Sequence, residues 1–192
     1  MRLSLGLRWV ALLTVLAAIG GTATLGIGHF RHATDRARET EFRLADTRAA
    51  AFAANAAEWR MIARRRGDVA VAHAFARDVA VMRTKLAEIE AGDATVVPVT
   101  RQISALLERY EHAVAGEISA LRNNDVRSAT TVDDQEIDPM FAQLNAALSR
   151  AIAATEARRA DAEQNAILAA RLIVISAAIG MLIAIGLFAR AR

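Results

Sequence analysis

Two uncharged apolar runs bracket this chain, at residues 9–28 and 172–189, with 20 and 18 residues respectively. A helix crosses the hydrocarbon core of a bilayer in about 20 residues, so each run is long enough to span it. Between them the sequence is polar, helical in pattern and nearly free of breakers, with only 2 prolines and 10 glycines in 192 residues. An Ala-, Arg- and Glu-rich chain of this kind reads as all-helical. The first run is too long for a signal-peptide core of about 7–15 residues and passes straight into helical pattern, so it reads as a retained membrane helix.

The formal charge of +3 divides unevenly. All 21 acidic residues lie between 29 and 166, with 19 of the 24 Lys and Arg, so that stretch is slightly acidic. The remaining basic residues, Arg2, Arg8, Arg171, Arg190 and Arg192, flank the apolar runs. The basic pI is therefore a membrane-flank effect and does not describe a nucleic-acid surface. Arg2 and Arg8 before the first run, with Arg190 and Arg192 after the second, put both ends in the cytoplasm by the positive-inside rule. Arg31, Arg36 and Arg38 pull the other way, but a long domain can translocate regardless of charge. The chain has no cysteine, which excludes disulfides, thiolate metal sites and cysteine nucleophiles.

The soluble stretch reads as four helices. Ala33, Ala37, Thr40, Leu44, Thr47, Ala51, Ala54 and Glu58 alternate by four and three, a heptad seam of small residues with one charged lapse at its end. Arg66-Gly67-Asp68 breaks it, with Asp68 free to cap the next helix. A second helix covers 69–91, with Val71, Phe75, Val79, Met82, Leu86 and Ile89 on one stripe. Gly92-Asp93 turns the chain, and Pro98 suits the first turn of a third helix that ends at Arg122. That helix carries Ile103, Leu106, Leu107, Tyr110, Val114, Ile118 and Leu121. Asn123-Asn124-Asp125 is the next turn. In the fourth helix Phe141, Leu144, Leu148, Ala151, Thr155, Arg158, Ala162 and Asn165 keep a phase that continues to Ala169 and Leu172, and Pro139 kinks it or marks a restart.

The outer helices have soluble parts of about 54 and 60 Å, and the inner pair about 35–40 Å each. The expected fold is all-α: an antiparallel up-down four-helix bundle (29–166) between two transmembrane helices (9–28 and 167–189), with 190–192 starting a cytoplasmic segment. The outer pair alone would bury its seam poorly near the membrane, which predicts a homodimer. Helix 1 is basic over 31–66 where 108–163 is acidic, which biases packing. Small residues line one face of each span, at Ala17, Gly21, Thr24 and Gly28 and at Ser176, Gly180 and Ala184, and favour close helix approach.

With this layout the chain resembles the four-helix-bundle sensory module of bacterial methyl-accepting chemotaxis receptors and related transmembrane sensors. The local match lies in Leu121-Arg-Asn-Asn-Asp125-Val-Arg-Ser-Ala129, then Ile137-Asp138-Pro139-Met140-Phe141 and Leu144. The resemblance implies an extracytoplasmic, periplasmic bundle on the bacterial inner membrane. It would bind a small solute or a solute-binding protein and pass a helix displacement to a cytoplasmic output. It also implies a relay and signalling domain after the second span. The sequence stops at Phe188-Ala-Arg-Ala-Arg192, so these would lie in a longer receptor or on a partner. Two alternatives stand beside this one: the sensor part of a histidine kinase or diguanylate cyclase, and a membrane scaffold or tether that senses nothing.

Arg60, Arg64, Arg65 and Arg66 crowd the distal end of helix 1. They could receive a carboxylate or phosphate, since guanidinium forks suit such anions, or they could be a solvated helix end. His73 and His112 fall at similar heights beside Glu108 and Glu111, but no ligand motif supports a metal or cofactor, and both read as solvated. Asp133, Asp134, Glu136 and Asp138 read as caps of the restart at Pro139 rather than as paired catalytic carboxylates. Trp59, near the distal bundle, could line a ligand pocket, but it reads better as a core or interface aromatic. No phosphate loop, nucleophile elbow or triad suggests an enzyme.

Overall fold

A computed structural model describes residues 5–64 and 68–189, with side chains at 32–64, 68–183, 185 and 186. The described chain is all-helical. Its helices are α1 (Leu5–Arg64), α2 (Val69–Gly92), α3 (Val97–Arg122), the short α4 (Val126–Val132) and α5 (Asp138–Ala189). A 3-10 turn (Ala94–Val96) leads into α3, and a π-helical turn (Asp133–Ile137) joins α4 to α5. The side chains of the first apolar run lie outside the described residues, as do Arg65, Arg66 and Gly67.

Local chemistry sets these boundaries. Asp68 caps α2 by accepting the Ala70 N–H at 2.9 Å. Asp93 ends α2, and its carboxylate accepts from both the N–H and the hydroxyl of Thr95. Pro98 sits in the first turn of α3, where its missing N–H costs nothing. At the end of α3, Asn124 takes φ 61°, a left-handed conformation that asparagine tolerates. Its N–H bonds to Leu121 O, and the Asp125 N–H to Ala120 O, the paired bonds of a Schellman stop. Asp125 then caps α4 through the Ser128 N–H and hydroxyl, contacts that hold its carboxyl below its ordinary range. The π turn has a covalent cause. Pro139 cannot donate to a carbonyl four residues back, and its ring crowds that carbonyl. The ladder widens, and the Asp138 N–H reaches Asp133 O instead.

Two compact units divide the chain. One comprises residues 36–157; the other combines residues 1–35 with 158–192. In the first, α1, α2, α3 and α5 all contribute to one hydrophobic core. The heptad seam of α1 is buried from Ala37 through Ala54, and Ala57 and Met61 extend it. All six stripe residues of α2 are buried. A row of rings ties the four long helices together. Phe52 meets Phe141 edge-on at 5.5 Å, Phe141 lies 5.9 Å from Tyr110, and Tyr110 lies 5.8 Å from Phe75. Cross-helix polar contacts link Arg43 to Glu88, Arg83 to Glu111 and Arg48 to Asn145. The first two run from α1 to α2 and from α2 to α3, whereas the charge balance had pointed from α1 to α3 and α5.

In the second unit, Ile167, Leu168, Leu172, Val174, Ile175, Ile179, Met181, Leu182, Ile183 and Ile185 are all exposed. Among the residues with described side chains, the run Val126–Ile183 is long and apolar enough to cross a membrane. Its most apolar window has mean hydropathy 2.4 and none of it is buried.

Candidate functional site

Three acidic side chains occupy core positions of the 36–157 unit. Glu58 follows Ala51 and Ala54 at the next heptad step of α1, so the seam's charged lapse points inward with the rest. Glu117 continues the buried series Ile103, Leu107, Tyr110 and Val114 on α3, leaving Ile118 only half-buried. Asp133 opens the π turn, four residues after buried Ala129 and four before buried Ile137. Glu58 and Glu117 are 0 % exposed and Asp133 3 %.

Both carboxylate oxygens of Glu58, both of Glu117 and Oδ1 of Asp133 are shut off from solvent without a hydrogen-bond partner. As carboxylates they can only accept, and none of the charges acting on them from the described residues is positive. An ionised carboxylate buried in this way is costly, and the usual remedy is to take up a proton. Burial first, and then the charges of Glu117 and Asp133, push Glu58 up to about 9. Burial pushes Glu117 up to about 7, and Asp133 is raised by burial and by Asp138 and Asp134. A proton on Glu58 gives it one O–H, which can donate to a carboxylate oxygen of Glu117 or of Asp133. Tyr110 stands against the cluster, its hydroxyl held protonated by burial and by the same carboxyls, and donates to Asn55 Oδ1 at 3.3 Å.

Two of the four arginines expected at an anion site lie within the described residues. Arg60 and Arg64 are exposed on the last turns of α1. Arg60 donates to Ala56 O, and Arg64 pairs with Asp68 at 3.3 Å. Arg65 and Arg66 lie outside the described residues. His73 and His112 are exposed, and no group of three His, Asp or Glu among the described residues is placed to hold a metal ion. His112 lines an open cleft of about 300 Å³ with Glu108, Arg109, Ala113, Glu136 and Met140. Of the acidic run read as helix caps, Asp134 and Glu136 are exposed and Asp138 opens α5, while Asp133 belongs to the core.

Sequence reasoning missed this acid cluster. The available signal was register: Glu58, Glu117 and Asp133 each stand where the core phase calls for an apolar residue. The outward face of α1 carries a second pattern. Phe42, Ala45, Ala49, Phe52, Ala56, Trp59 and Ala63 alternate by three and four, and all are exposed. Phe42, Phe52 and Trp59 expose 64 %, 46 % and 49 % of their surface.

Comparison of the chain with protein-family models, with curated proteins and with solved structures finds no match.

Proposed function

We propose that the chain is the ligand-sensing and transmembrane signalling module of a bacterial chemoreceptor-like receptor, set in the inner membrane with its bundle outside. The observation that carries this reading is α5. One unbroken helix (Asp138–Ala189) supplies Leu144, Leu148, Ala151 and Thr155 to the core and also contains the exposed apolar segment of membrane-spanning length. A water-soluble protein rarely exposes an apolar surface of that extent. A rigid helix that begins in a sensing bundle and ends in lipid would pass a small displacement to a cytoplasmic output.

The ring contacts among α1, α2, α3 and α5 support an antiparallel up-down bundle. The second heptad of α1 supports a homodimer, because exposed residues repeating every seven suit a facing helix on another copy. Arg60 and Arg64 remain the proposed contacts for an anionic ligand, together with Arg65 and Arg66.

The test uses the absence of cysteine. Single cysteines are placed along 9–28 and 172–189 of the full chain in membrane vesicles. Crosslinking rates between the two runs are measured with succinate, inorganic phosphate or a change of pH as the probe. A probe that raises the melting temperature should change at least one rate. A probe that binds while every rate stays constant overturns the signalling role.

A further inference from the structure

We propose that Glu58, Glu117 and Asp133 form a proton-binding site whose occupancy closes the core of the 36–157 unit, and whose emptying releases the π-helical turn. The site is built from three elements, and all three side chains are more than nine-tenths buried. Five of their oxygens face the interior with no partner, and no group of three His, Asp or Glu among the described residues is placed to hold a metal ion, so a bound proton is the donor the geometry points to. The proposal concerns this unit alone and stands whether or not the chain signals across a membrane.

Every group among the described residues that acts on the cluster is acidic or neutral. Glu58 comes from α1, and Tyr110 and Glu117 from α3. The π turn brings Asp133 and Asp134, and Asp138 opens α5. Neither α2 nor α4 supplies a charge that acts on the three carboxyls. With Glu58 protonated, its one O–H donates to Glu117 or Asp133 and one negative charge is removed, so α1, α3 and the π turn can stay packed together. As pH rises, the proton passes to water or hydroxide, and two or three negative charges then face one another in a dry interior. The element that yields is the π turn, because its ladder is already widened at Pro139 and Asp133 belongs to it. Opening there lets water reach Asp133 while the Leu144, Leu148 and Thr155 end of α5 stays packed.

The test is hydrogen exchange on the full chain in lipid nanodiscs, expressed as protection relative to intrinsic amide rates, from pH 5 to pH 9. Amides of 133–138 should lose protection by up to about tenfold per pH unit for one linked proton, while those around Leu144–Thr155 lose little. Glu58→Gln keeps a donor to Glu117 and Asp133 at every pH, so its π turn should hold the acid-pH protection up to pH 9. Wild-type protection that is flat with pH overturns the proposal, as does a Glu58→Gln profile that falls as steeply as wild type. Where that variant does not fold, carboxyl ¹³C shifts of wild type decide. Titration of Glu58 and Glu117 in the ordinary carboxylate range overturns the site, and titration well above it supports it.

Discussion

Replacing Glu58 with methionine should stabilise the protein at pH 8 and do almost nothing at pH 5. In the unfolded chain this carboxyl titrates near its ordinary value of 4.5, and in the fold it is pushed up to about 9. Between those values the folded state holds a proton that the unfolded state has lost. Stability due to Glu58 is therefore greatest below pH 4.5 and falls as pH rises toward 9. One linked proton gives a slope of about 1.4 kcal/mol per pH unit. Folding at pH 8 thus carries a cost of about 5 kcal/mol at this residue, against about 1 kcal/mol at pH 5. Methionine fills similar space without the charge and removes the cost, but it also loses the hydrogen bond that protonated Glu58 donates. At pH 5 these effects nearly cancel, and at pH 8 a net gain of about 3–5 kcal/mol remains. Urea denaturation of the full chain in nanodiscs, followed by circular dichroism, gives the free energies. The wild-type slope between pH 5 and 8 should exceed the variant's by roughly 1 kcal/mol per unit. Equal slopes would refute the burial argument.

Other expected outcomes draw on different parts of the fold. Leu148→Ala should cost about 2–5 kcal/mol in the same assay, because Leu148 is fully buried where α5 meets the core. Asp68→Ala should cost about 1 kcal/mol and speed amide exchange in the first turn of α2, which it caps. Ile179→Arg should add about 2.5–3.5 kcal/mol to membrane insertion of α5, read as a loss of the membrane-integrated fraction. On the proposed homodimer, Phe42→Lys combined with Ala49→Glu, both on the exposed face of α1, should weaken self-association at least about tenfold by sedimentation.

Apolar side chains made most of the fold legible from sequence. The α2 stripe, the α1 seam from Ala37 to Ala54, the Pro98 start and the Asn123–Asp125 turn follow from periodicity and from caps whose chemistry is local. The site was not legible for the opposite reason. Glu58, Glu117 and Asp133 reach the core through register, but their side chains ordinarily belong in water, so composition argued against their position. Asp133 was harder still, because it sits in an acidic run with Asp134, Glu136 and Asp138 just before Pro139, where a helix restart calls for caps, although steps of four from Ala129 to Ile137 pass through it. Trp59 reads from sequence as a core or interface aromatic, and its half-exposed place on the outward seam of α1 rules out only the core.

The placement of the arginines sharpens the case for a proton. A buried carboxylate can be kept by a cation or by protonation. A guanidinium makes the charge permanent across the neutral range, whereas a proton makes it conditional. This chain holds 24 lysines and arginines, and two of them, Arg60 and Arg64, follow Glu58 on the last turns of α1. Arg60, two residues on, is exposed and folds back to Ala56 O, and Arg64 pairs with Asp68. No cation acts on the three carboxyls from the described residues. Bringing one in would fix the π turn in one state. Directing an arginine into the cluster is therefore the strongest discriminating substitution. Val114→Arg, one turn before Glu117 and fully buried, would give the acids a permanent partner if the core admits it. A folded variant should keep the protection of the π turn at alkaline pH while losing its dependence on pH. A folded variant that kept the wild-type pH profile would show that the charge of this cluster does not govern the turn.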